Sequence, residues 1–224
     1  NDPRLPVLLL QATFVTCGIT FWGFNRSPAQ VGLILLICVT LDCLLHYLLR
    51  RKTLLVPISG LITGLGLSVL TNFSHGLWLA AIPPFFATAS KYVFTVNGRH
   101  IYNPGLFGVI AALVLSDGMI TPAPAYQWGG AGITAFFIAT AALMLFALNI
   151  RRSVLISCFL LFYALQLSLR AWLLRHHIPP QTLFMGAFSS PAFYLFTFFM
   201  ITDPPTSAES RKGQAFMAFF IVFV

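Results

Sequence analysis

Residues 91–108 read KYVFTVNGRHIYNPGLFG. The stretch is basic at Lys91, Arg99 and His100, turns at Asn97-Gly98, and passes through Asn103-Pro104-Gly105 into an apolar run. Soluble loops carry the same residue types. Here the stretch lies between long hydrophobic segments, so charge, turn and Pro-Gly break together mark the mouth of a membrane helix.

Composition sets the class. Of 224 residues, 58% are hydrophobic and only 8% charged, against about a quarter charged in water-soluble domains. A globule of this size could not cover its surface with so few charges. The expectation is an all-α polytopic membrane protein. A net charge of +8 in a soluble domain would point to nucleic acid. Here the basic residues sit between apolar runs and are not interleaved for nucleic acid, so orientation in a bilayer accounts for them. Cys17, Cys38, Cys43 and Cys158 all lie inside apolar runs without CxxC or metal-ligand spacing, and read as small buried hydrophobes. The first run follows Asn1-Asp2-Pro3-Arg4 without a convincing small-residue cleavage site, so it reads as a span rather than a cleaved leader.

Apolar windows give candidate spans at 5–24, 30–49, 54–71, 76–94, 103–116, 130–149, 153–173, 182–202 and 212–224. A span of about 20 residues crosses roughly 30 Å of hydrocarbon. The fifth is short, and the ninth runs to Val224, so a tenth span beyond it is expected. If the N-terminus lies on one side and the spans alternate, that side receives Arg4, Arg50, Arg51, Lys52, Lys91, Arg99, Arg151, Arg152, Arg211 and Lys212. The other receives Arg26, Arg170 and Arg175. This bias places the N-terminus in the cytoplasm.

Spans three and eight look alike. Span three runs from Pro57-Ile58-Ser59-Gly60 through Gly64 and Gly66 to Thr71-Asn72. Span eight has Gly186 and Ser189-Ser190-Pro191 and ends Thr202-Asp203-Pro204-Pro205. They are an odd number of spans apart and so run in opposite directions, the pattern of an inverted repeat. The expected organisation is about nine to ten transmembrane helices in two inverted halves, 1–116 and 117–224, with short or broken helices and the second half cut short.

Several residues are candidates for chemistry, each with a plainer reading beside it. Asn103-Pro104-Gly105 opens a short span. Its exposed N–H groups would suit a polar or anionic ligand group, or it is an ordinary helix start. Gly60 and Gly64 let another helix approach closely, or admit a flat ring against the backbone. Asp42 and His46 share one helix face. An acid within an apolar run is a functional-site hypothesis. Asp42 would orient His46 in a proton path, His46 would ligate a metal or haem, or the two form a structural pair. Asp203 either caps the turn that follows it or pairs with Arg211 or Lys91. The loop 117–130, DGMITPAPAYQWGG, is barred from helix by its Pro and Gly. Its Tyr126 and Trp128 suit an interfacial belt or stacking on an aromatic cofactor. There is no GxSxG, P-loop, HExxH or defensible nucleophile–base pair, so no complete active site is expected in this chain.

Three strings together carry a resemblance: Ser59-Gly-Leu-Ile-Thr-Gly64; Lys91-Tyr92 followed by Gly98-Arg99-His100-Ile101-Tyr102-Asn103-Pro104; and Thr202-Asp203-Pro204. In these the chain resembles the membrane subunits B of sodium-pumping NADH:quinone oxidoreductase and D of the Rnf electron-transport complex, over about residues 54–214. The resemblance implies a ten-helix fold of two inverted halves in a bacterial inner membrane, binding flavin and passing electrons within a multi-subunit complex. In that family one FMN is attached through a phosphoester to the threonine of an S/T-G-A-T motif. The matching loop here has Thr121 in Met119-Ile120-Thr121-Pro122-Ala123, without Gly-Ala before it. The covalent motif is absent, and the loop looks like that of a shorter branch of the family, which includes homologues found with enediyne biosynthesis genes.

What the resemblance then implies is FMN or riboflavin held non-covalently between the halves, near spans three, five and eight. Ser59, Gly60, Gly64, Lys91, Arg99, His100, Asn103, Thr121 and Asp203 are the candidate contacts, and other membrane subunits, lipids and a quinone the candidate partners. The alternatives are a transporter-like subunit, with Asp42 as its coupling acid, and a scaffold subunit without cofactor.

Overall fold

Prolines and capping side chains punctuate the apolar runs, and helices form between them. A computed structural model describes residues 4–24, 26–51, 57–73, 76–96, 99–122, 135, 139, 152–188, 193–194, 196–202 and 207–223, and these are mostly helical. The chain packs as two units, residues 1–127 and 128–224.

The first unit begins with α1 (Leu5–Phe21). Helix α2 (Pro28–His46) starts at a capping box: Gln30 N donates to Ser27 Oγ and Ser27 N donates to Gln30 Oε1, each at 3.1 Å, with Pro28 in the first turn. It runs on into a π-helical turn, Tyr47–Arg51. Helix α3 (Ile58–Leu70) passes directly into the strand β1 (Thr71–Phe73). A 3-10 turn (Leu77–Ala81) leads into α4 (Ile82–Val93), whose Pro83 and Pro84 fall in the first turn, where no N–H is missed. The strands β2 (Thr95–Val96) and β3 (Arg99–His100) pair antiparallel, Thr95 opposite His100. The expected Asn97-Gly98 turn lies between them, outside the described residues. Helix α5 (Pro104–Leu115) follows.

The chain then reverses at residues 116–119, with Asp117 at φ 48° and Gly118 at φ 82°, a region open to Asp and Gly far more than to branched residues. It returns as β4 (Ile120–Pro122), which pairs antiparallel with β1: Thr71 opposite Pro122, Asn72 opposite Thr121, Phe73 opposite Ile120. Because β1 extends α3 while β4 doubles back from α5, the two helices run the same way. This pairing also holds residues 117–122 in the first unit. The boundary between units therefore falls after β4, whereas the sequence placed it at 116/117.

Packing within this unit is α2 on α3 and α4, α4 on α5, and α1 on α3. Its core joins Ile34 and Cys38 of α2, Leu67 of α3, Ala87 of α4, Val109 and Ala112 of α5, and Phe73 and Ile120 of the paired strands. Gly108 brings α5 against α4 so closely that a Cβ there would lie 2.5 Å from Pro83 O.

In the second unit, α6 (Ser153–Leu173) packs along α8 (Arg211–Phe223), with α7 (Pro180–Phe188) against α6 and a π-helical turn at Phe196–Met200. Leu155, Phe159, Phe193, Ile201 and Ala218 form its core. Gln214 of α8 accepts from Leu155 N at the first turn of α6 (3.2 Å), and Arg152 donates to Ala208 O (2.8 Å). The first of these satisfies a first-turn N–H of α6 that would otherwise be orphaned. The span expected at 130–149 lies outside the described residues except at 135 and 139. That at 182–202 is described only in part.

Among the described residues, two helices, Pro28–Leu49 and Ser153–Leu173, are long and apolar enough to cross a membrane, and α1, α3 and α5 are shorter apolar helices. Only 22% and 28% of the most apolar windows of the two long helices are buried. The core helix of a soluble protein would turn most of such a surface inward.

Candidate functional site

Helices α2, α3 and α4 meet at one polar cluster in the first unit. Asp42 comes from the last third of α2, Ser59 and Gly60 from the first turn of α3, and Lys91 and Tyr92 from the last turn of α4. Asp42 is 2% exposed and Lys91 4%. The Lys91 ammonium donates to Ser59 O at 3.1 Å and to Ser59 Oγ at 3.0 Å, and stands 3.8 Å from Asp42 Oδ1. The Tyr92 hydroxyl lies 2.9 Å from both Asp42 Oδ1 and Asp42 O, within donating distance of each. The other carboxylate oxygen, Asp42 Oδ2, is buried without a hydrogen-bond partner among the described residues.

Gly60 is the reason Asp42 fits. A Cβ at position 60 would lie 3.1 Å from Cys38 O and 3.3 Å from both Asp42 Cβ and Asp42 Oδ2. Gly64, one turn on, faces Leu35 and Cys38, with its would-be Cβ 2.9 Å from Leu35 Cδ2. The room left by the two glycines is thus filled by α2. This answers the ring-binding reading of these glycines: a flat cofactor does not fit against Gly60 or Gly64 without parting α2 from α3.

The cluster holds a cation and an anion inside a helix bundle, where an ion pair roughly balances its desolvation cost and loss of one partner costs about 3–5 kcal/mol. Its geometry is that of a spaced pair. The 3.8 Å separation exceeds a charge-assisted hydrogen bond.

The remaining sequence candidates lie elsewhere. Asn103 is the N-cap of α5. Its Oδ1 accepts from Leu106 N (3.1 Å) and its carbonyl from Phe107 N (3.0 Å). The side chain expected to help hold a ligand satisfies its own helix instead. His100 is half-buried in β3, beside Arg99. His46 lies one turn beyond Asp42 on α2 and is half-buried, and among the described residues Asp42 meets Tyr92 and Lys91 rather than His46. Thr121 is exposed in β4, with Asn72 opposite. It lies at the other end of α3, whose 13 residues span about 20 Å, so no single ring system reaches both Thr121 and Lys91. Asp203 lies outside the described residues. No group of three or more His, Cys, Asp or Glu capable of holding a metal is found among the described residues.

At the Thr121 end sits a second buried cation, Arg26. It donates through Nε to Ser68 O (3.2 Å), through Nη1 to Asn72 Oδ1 (2.8 Å) and through Nη2 to Thr71 O. Its guanidinium lies 5.1 Å from the Phe24 ring centroid. It caps the carbonyls at the C-terminus of α3, where the helix dipole favours a cation. Burial lowers its pKa to about 10, which leaves it charged at neutral pH. The sequence placed Arg26 in a loop and gave no sign of this role. It also missed Tyr92, whose hydroxyl reaches Asp42 from 50 residues away. The only signal available was the proximity of Tyr92 to Lys91.

No protein-family model matches the chain, and no curated protein is significantly similar to it.

Proposed function

We propose that the chain is an integral membrane subunit of an electron-transfer complex, of the kind its sequence resembles, seated in a bacterial inner membrane with its N-terminus cytoplasmic. It crosses the bilayer about nine to ten times in two inverted halves. It binds FMN or riboflavin non-covalently and works beside other membrane subunits, lipids and a quinone. The observation that carries this reading is the form of α3 and α5. At 13 and 12 residues they are about 18–20 Å long, too short for 30 Å of hydrocarbon. Both give way to extended backbone, and Thr71, Phe73 and Ile120 of that backbone are buried. Non-helical backbone at membrane depth is tolerated only inside protein or lining a cavity, and broken helices of this kind build ligand sites in two-halved membrane proteins.

The filled α2–α3 contact argues against a flavin lying on Gly60 or Gly64. The sequence before Thr121 argues against covalent attachment there, since it lacks the Gly-Ala of the attachment motif. A flavin bound by this chain supplies the redox chemistry. The chain's own contribution is to hold the ring and exclude water. The test is an absorption spectrum, with mass spectrometry, of the gently solubilised protein and its co-purifying partners. Flavin released on denaturation is the expected result. A flavin mass that stays on the Thr121 peptide overturns the non-covalent reading, and the lack of any chromophore overturns the redox reading.

A second reading, a transporter-like subunit, has one observation in its favour: the buried Asp42–Lys91 pair. Loss of ion uptake in Asp42→Asn with electron transfer intact would select it.

A further inference from the structure

We propose that Asp42 is a proton-binding site, with the proton carried on Oδ2 and Lys91 as the fixed counter-charge. The inference does not depend on a flavin being bound. It rests on the asymmetry of the carboxylate. Oδ1 faces the Tyr92 hydroxyl at 2.9 Å and the Lys91 ammonium at 3.8 Å. Oδ2 is buried and has no partner among the described residues. A buried carboxylate with one bare oxygen is poorly compensated, and protonating that oxygen removes the charge that is costly there.

Coordination favours a proton over a metal ion. On the Gly60 side, a would-be Cβ at position 60 lies 3.3 Å from Oδ2. An alkali or alkaline-earth ion brings a coordination shell and needs several oxygens around it. A proton adds no volume. The oxygens of Ser59 that could have joined such a shell are already taken by Lys91. The ammonium thus stays anchored whether Asp42 is charged or neutral, so one proton can come and go without dismantling the cluster.

The groups facing Asp42 are few. From α4 come Lys91 and Tyr92. From α3 come Ser59 and Gly60, neither of them titratable in the working range. On α2 itself, Cys38 lies one turn before and His46 one turn after, followed by Arg50 and Arg51. His46 is half-buried and stands about 6 Å along the helix from Asp42, with the thiol of Cys43 between them in the chain. The step is a simple transfer: a hydronium ion gives its proton to Asp42 Oδ2, the carboxylate becomes a neutral carboxyl, and the donor becomes water.

The experiment is infrared difference spectroscopy of the full chain in lipid nanodiscs, recorded across an acid–base cycle in the carboxyl C=O stretching region. The chain has five acidic residues, so assignment by single substitution is tractable. The expected result is a reversible buried-carboxyl band that Asp42→Asn abolishes. Lys91→Met, which removes the ammonium 3.8 Å from Oδ1, changes the frequency of the band. If Asp42→Asn fails to fold with Lys91 left unpaired, the neutral double variant Asp42→Asn/Lys91→Met carries the assignment. The proposal is overturned if the band is missing in wild type, survives in Asp42→Asn or in the double variant, or does not respond to Lys91→Met, each of which makes the pair a static tie between helices.

Discussion

At Asp42 a single side chain decides how three helices meet. Asp42→Ala leaves the Lys91 ammonium buried without its counter-charge, and thermal unfolding in detergent is expected to show a loss of about 3–5 kcal/mol. Asp42→Asn/Lys91→Met removes both charges together and is expected to recover most of that loss, since an uncharged pair has no solvation to regain. A double variant as unstable as Asp42→Ala would show that the loss comes from packing alone. Gly60 is the complementary position. Gly60→Ala drives a methyl to 3.1 Å from the backbone oxygen of Cys38, whereas Gly64→Ala meets the flexible end of Leu35 at 2.9 Å and backbone only at 3.3 Å, from Leu35 Cα. Backbone cannot yield as a leucine methyl can. Gly60→Ala is therefore expected to cost about 1–3 kcal/mol, and Gly64→Ala less, by the same unfolding measurement.

At the level of elements, the end of α3 depends on a residue from another part of the chain. The last carbonyls of α3 have no partner within the helix. Arg26 supplies one to Ser68 and another to Thr71, and it holds Asn72 in β1 as well. Arg26→Met keeps the apolar stem and deletes the fork, leaving buried carbonyls unsatisfied at about 1–3 kcal/mol each. The expected outcome is faster amide exchange along Thr71–Phe73 and Ile120, with α4 and α5 unchanged. Arg26→Lys is expected to recover little, because one ammonium cannot reproduce a planar fork on three acceptors. Equal exchange in wild type and Arg26→Met would show that β1 and β4 hold each other without it.

The whole molecule turns much of its apolar surface outward. Leu36 in the middle of α2 is 59% exposed, and Leu165 and Leu169 of α6 are exposed as well. If lipid covers these faces, Leu36→Arg places a charge near mid-bilayer at a cost of about 2.5–3.5 kcal/mol. The expected result is a sharp loss of membrane-integrated protein after an alkaline wash. If water covered them, the same substitution would be harmless or would raise solubility. That contrast makes Leu36→Arg a direct test of the environment around α2.

Helix was legible in much of the described chain from composition and apolar runs alone. Low charge and long apolar runs leave few other structures, and Pro57 and Pro104 mark helix starts because a missing N–H acts locally. The sequence by itself marked Asp42, Ser59, Gly60 and Lys91 as separate oddities, each read against its neighbours along the chain, so Asp42 was matched with His46 and Lys91 with Asp203. Only the tertiary structure joined Asp42 to Lys91 and Tyr92, filled Gly60 and Gly64 with α2, turned Arg26 inward onto α3, and set the boundary after β4 through its pairing with β1. These are contacts between residues some 20 to 50 positions apart. They are chosen by which helix faces can close on one another at the distances that glycines and buried charges permit, and no local pattern of residue types encodes that choice.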